Sequence, residues 1–141
     1  MPEWLEILVS CRRPTSSLFV SFNDEFNETR ELPDWAVSAD VEWYPTADEP
    51  DNAPRYGAET VVAYVRGWAT TFGDYYCDVE ELIDMGDCVV APLHLRGRIG
   101  DSTSELSLPL TQVWDVRDGK VTRVREYRTK DEALKTVASQ L

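Results

Sequence analysis

Residues 88–98 read CVVAPLHLRGR, residues 105–116 ELSLPLTQVWDV and residues 121–128 VTRVREYR. Apolar and polar side chains alternate along these stretches, which is the period of a half-buried strand. Turn-forming residues separate them, Gly100-Asp101-Ser102 and Asp118-Gly119, so the strands fold back on one another antiparallel. Polarity then selects a register. With Leu108 opposite Leu95 and Leu110 opposite Leu93, one face gathers Val89, Ala91, Leu93, Leu95, Leu106, Leu108, Leu110, Gln112 and Trp114. The other gathers His94, Arg96, Arg98, Glu105, Ser107 and Thr111. A slip of one residue would mix the two sets. Gln112 is thereby a lone amide in an apolar wall.

Upstream, Tyr76 to Met85 reads as a fourth strand, joined through Met85-Gly86-Asp87. Before it the period changes to 3.6, with Val61, Val62, Val65, Trp68, Ala69 and Phe72 on one helical stripe closed by Gly73. Another helix starts at Thr15 to Ser17 and carries Leu18, Phe19, Phe22 and Phe26 at helical spacing. Residues 2–11, with Pro2 in the first turn, read as a short helix ending before Arg13-Pro14. Leu32 to Trp35 reads as a helical turn, Asp40 to Tyr44 as a short strand stopped by Pro45, and residues 46–55 as an acidic, proline-rich loop. Lys130 to Ala138 is a short amphipathic helix. Helices first and hairpins after them define an α+β domain whose curved sheet wraps its apolar face around the helices.

The 141 residues are 43% apolar and 11% aromatic, enough for one core without metal or disulfide staples. No apolar run reaches the roughly 18 residues of a membrane span. Fourteen basic against 26 acidic side chains give a net charge of −12, which repels nucleic acid and anionic membranes, so neither is expected as a partner. The acids crowd residues 21–60, where Arg30 and Arg55 are the only bases, and read as a solvated face. Met1 to Arg13 places its apolar side chains before its arginines, the reverse of a secretory signal, so the expected location is cytoplasmic. Cys11, Cys77 and Cys88 share no C-x-x-C spacing and there is one histidine. Together with the lack of a glycine-rich phosphate loop or a nucleophile elbow, this argues against disulfide, metal, nucleotide and α/β-hydrolase chemistry.

Several segments resemble the SnoaL-like branch of the NTF2-like superfamily, which includes polyketide cyclases, ketosteroid isomerases and limonene epoxide hydrolases. They are Phe26-Asn27, Asp40 to Trp43, Arg55-Tyr56-Gly57 leading into the helix with Trp68, Glu81 to Val90, Arg117 to Val121, and Tyr127 followed by Asp131 to Leu134. The resemblance places the domain at residues 16–141, with residues 1–15 as an N-terminal extension. It implies a cone-shaped curved antiparallel sheet wrapped around about three helices and open to a pocket for a small hydrophobic or aromatic molecule. It also implies a homodimer and no cofactor, and with a single histidine no metal site is expected.

Tested residue by residue, the known reactions of the superfamily fit poorly. Where the isomerase branch needs a carboxylate base, this chain has Trp43 or Tyr44, and the position of its donor acid falls on Gln112. Neither aromatic takes a proton from carbon near neutral pH. Arg96 and Arg98 lie on the polar face, away from an epoxide-hydrolase arrangement. Gln112 remains the sharpest candidate, either as donor to a ligand carbonyl or as an amide satisfied by a neighbour. A two-residue turn at Asp118-Gly119 sets Arg125 opposite Gln112 and Tyr127 opposite Leu110, whereas a turn one residue longer brings Glu126 inward instead. Gln112, Tyr127 and Glu126 are therefore the candidate catalytic residues, with Arg125 and Leu110 beside them. Trp43, Trp68 and Trp114 serve as flat pocket walls or as ordinary core. His94, the one side chain titrating near neutrality without help, falls on the convex face.

Two functional expectations follow. One is a pocket protein, catalytic as a cofactor-independent lyase, isomerase or cyclase. The other is a non-catalytic dimeric module whose cone is filled by its own side chains.

Overall fold

In the computed structural model, residues 14–100 and 103–140 are described. The expected helix over residues 2–11 and part of the Gly100-Asp101-Ser102 turn lie outside them. The elements run α1 (Pro14–Thr29), a 3-10 turn (Asp34–Ala36), β1 (Val37–Tyr44), β2 (Arg55–Tyr56), α2 (Ala58–Thr71), β3 (Phe72–Val79), β4 (Ile83–Asp84), β5 (Cys88–Ile99), β6 (Glu105–Arg117), β7 (Lys120–Tyr127) and α3 (Lys130–Ala138). The strands form one sheet in the order β2-β1-β7-β6-β5-β3, with β4 beside β5. Every pairing is antiparallel except that of β1 with β7.

The long β5–β6 hairpin pairs Leu93 with Leu110 and Leu95 with Leu108, the register that polarity selects. Its concave face carries Val89, Ala91, Leu93, Leu95, Leu110 and Trp114 into the main core. Helix α1 places Phe19, Phe22 and Phe26 on one stripe against that face. Phe19 and Phe22 meet Trp114 edge-on, with ring centroids 4.7 and 4.4 Å away. The α1 helix is also tied to β3 by Asn27, whose amide donates to the Cys77 carbonyl and accepts from the Cys77 N–H, both at 2.9 Å. Helix α2 buries Val61, Val65 and Ala69 and turns Tyr64 and Trp68 toward the same interior.

Several features depart from the sequence reading. The stretch from Tyr76 to Met85 is two strands, because Glu80 and Glu81 interrupt the alternation. Gly73 lies inside β3 rather than capping the preceding helix. Helix α3 packs on the outer face of the sheet, with Ala133 and Val137 against Cys88, Val90 and Val113. The Thr129 side chain caps α3, accepting from the Glu132 N–H at 3.1 Å.

The β6–β7 hairpin decides what enters the cone. Its turn is the expected two-residue one, with Asp118 and Gly119 both at positive φ (53° and 75°) and Arg117 pairing with Lys120. The register nevertheless shifts between Asp115 and Val116, leaving Thr122 as an extra, unpaired residue. Thr122 Oγ1 donates to the Asp115 carbonyl at 3.2 Å. This bulge lets Val121 and Val124, three residues apart, both reach the main core. Beyond it Gln112 stands opposite Glu126, and Thr111 opposite Tyr127.

Candidate functional site

Enclosed between the concave face and helices α1 and α2 is a cavity of about 550 Å³. Phe22 and Phe26 of α1, Tyr64 and Trp68 of α2, Trp43 of β1, Tyr75 and Cys77 of β3, and Leu95, Leu110 and Trp114 of the hairpin line it. The loop after β1 adds Asp48, Glu49 and Pro50, and the entry to α3 adds Arg128, Thr129 and Glu132. The cone is therefore open rather than filled by its own aromatic side chains.

At its base lies a connected polar group. Trp114 Nε1–H donates to Gln112 Oε1 at 2.8 Å, which fixes the amide with its nitrogen toward β7. Gln112 Nε2 then donates to Glu126 Oε2 at 3.0 Å. Trp43 Nε1–H donates to Glu126 Oε1 at 3.2 Å. Both carboxylate oxygens are thus held, each by a neutral donor. Burial in this apolar setting pushes the Glu126 carboxyl up to about 7, against the pull of the Gln112 and Trp43 hydrogen bonds, and the charge of Glu49 adds to the rise. A carboxyl titrating there can take or give a proton at neutral pH.

A second carboxylate stands on the loop side. The Tyr64 hydroxyl donates to both oxygens of Glu49 at 2.9 Å. Burial, the negative charge of Glu126 and that hydrogen bond all raise the Tyr64 phenol. Tyr75 is raised too, chiefly by burial. Burial likewise pushes the Cys77 thiol up to about 12, which keeps it a neutral, unreactive wall. Among the described residues no three His, Cys, Asp or Glu side chains gather in a way that would hold a metal.

Of the residues singled out in the sequence, Gln112, Glu126, Trp43, Trp68, Trp114 and Leu110 all line the cavity. Arg125 and Tyr127 do not, and the Thr122 bulge is the reason. Arg125, only 8% exposed, points to the outer face, bonded to Gln140 at 2.8 Å and 3.5 Å from the Asp115 carboxylate. Tyr127 packs against the α3 cluster. His94 lies on β5 with its Nδ1 2.5 Å from Glu80 and does not line the cavity. The sequence reading missed Tyr64, Tyr75 and Glu49. Tyr64 was accessible to it, lying one helical turn before Trp68 on the same face, whereas Glu49 sits in a loop whose course no periodicity fixes.

The sequence profile of the SnoaL-like domain matches residues 22–124, and the chain belongs to that family. Its fold is shared by Bal32a, from a soil-derived mobile gene cassette, at 14% identity over 80% of this chain and 87% of the other, with a TM-score of 0.67. TerC, co-crystallised with polyporic acid, has 18% identity over 86% of this chain and 96% of its own, with a TM-score of 0.67. An NTF2-like protein of Mesorhizobium loti has 21% identity over 82% and 91%, with a TM-score of 0.65. No curated protein sequence matches. Among the described residues no helix is long and apolar enough to cross a membrane.

Proposed function

We propose that the cavity binds a small hydrophobic or aromatic molecule and that Glu126 exchanges a proton with it, in a cofactor-independent reaction of the isomerase, lyase or cyclase kind. The observation that carries this reading is Glu126 itself, a carboxyl raised to about 7 that lines an open, aromatic-walled cavity. Such a group suits removal of a proton from the carbon beside a carbonyl. The C–H bonding pair would move toward the carbonyl oxygen to give an enolate, Glu126 would hold the proton, and its return to another position would complete an isomerisation. The second N–H of Gln112 is a hydrogen-bond donor at the same end of the cavity. The ligand reported for TerC, polyporic acid, supports a small organic molecule as the occupant of this fold.

The test is proton exchange. Aryl ketones incubated with the protein in heavy water are followed by NMR for deuterium entering the carbon beside the carbonyl. Wild-type protein is expected to accelerate exchange and Glu126→Gln to abolish the acceleration. Acceleration that survives Glu126→Gln would contradict the assignment.

A further inference from the structure

The charges around the cavity are unevenly answered. Arg128 on its rim lies 3.4 Å from Asp48. Arg55, whose guanidinium lies 4.3 Å from the centre of the Tyr64 ring, is engaged with the Asp51 carboxylate at 2.9 Å. Glu126 and Glu49, by contrast, have no cationic partner among the described residues. Glu126 is held by an indole and an amide, and Glu49 by a phenol. The Glu126 carboxyl is buried and Glu49 is half-buried at the loop side of the cavity. Negative charge gathers there without a counter-charge, and an anionic ligand would add to its cost. A neutral ligand would leave it in place. A cation would relieve it, and the electron-rich rings of Trp43, Trp68 and Tyr75 in the same walls favour a cation as well.

We propose that the ligand carries a positively charged nitrogen, as a protonated or quaternary amine on an apolar or aromatic body, placed among Trp43, Trp68 and Tyr75 between the carboxylates of Glu49 and Glu126. This names the ligand class for the cavity just described and rests on that reading of it. Neutral partners on both carboxylates distinguish the arrangement from a structural ion pair, in which the cation would be supplied by the protein.

Two probes of nearly the same shape separate charge from size. Benzyltrimethylammonium bears a fixed positive charge, and neopentylbenzene replaces its nitrogen with carbon. Each is titrated into the full chain, with tryptophan fluorescence and calorimetry as readouts. The cation is expected to bind at least about tenfold more tightly. Glu126→Gln and Glu49→Gln should each reduce that preference, and Glu49→Gln, in a loop, carries the comparison if the buried variant fails to fold. If the neutral probe binds as tightly as the cation, the charge assignment is overturned and the cavity reading stands. If neither probe binds, both fall.

Discussion

Gln112 and Glu126 face each other across the β6–β7 ladder, joined by a 3.0 Å hydrogen bond from amide to carboxylate. Strict alternation through the same two-residue turn would have put Arg125 in that position. The bulge at Thr122 therefore decides whether the base of the cavity is basic or acidic, and with it what chemistry the cavity supports.

Removing Thr122 tests how that pairing is set. The residues on either side, Val121 and Arg123, already pair with Val116 and Asp115, so a chain lacking Thr122 can form a regular hairpin with Glu126 still opposite Gln112. The deletion loses the Thr122 hydrogen bond and the local twist, and a lower Tm is expected. Its crystal structure should keep Glu126 in the cavity. Arg125 in that place would show that the extra residue does not set the register as described.

The ionisation of Glu126 also couples to stability. A carboxyl raised from its usual 4.5 to about 7 keeps its proton in the folded chain over a range where the unfolded chain has released it. Stability therefore falls as pH rises from 4.5 toward 7 and levels off above, by on the order of 3 kcal/mol from this group. Glu126→Gln lacks that slope. In urea unfolding, the stability of the variant relative to wild type should rise by a comparable amount between about pH 4 and about pH 8.5. A constant difference would mean that Glu126 has an ordinary acidity.

Much of the frame was legible in the residues. Leucines at 93, 95, 108 and 110 fix the β5–β6 register because no other pairing sorts polarity, and Thr129 with Glu132 marks the start of α3. The bulge had a trace that pairwise alternation overlooks: Val121 and Val124, three residues apart, cannot both face the same core in a regular strand. Apolar Cys88, Val90 and Val113 on the otherwise polar face likewise marked where α3 would pack. The approach of Glu49 to Tyr64 left no such trace, since it depends on the path of a loop folded by long-range contacts. The partners of Gln112 also needed the geometry, which bonds its oxygen to Trp114 and one of its N–H groups to Glu126.

The most direct test is the titration of Glu126 itself, followed by NMR of carbon-13-labelled glutamate carboxyls and assigned by the signal that Glu126→Gln removes. The structure predicts a midpoint near 7, moved higher still by Gln112→Leu, which takes away a donor to the charged form. A midpoint near 4.5, unmoved by Gln112→Leu, would contradict the central claim that the cavity holds a carboxyl poised to exchange protons at neutral pH.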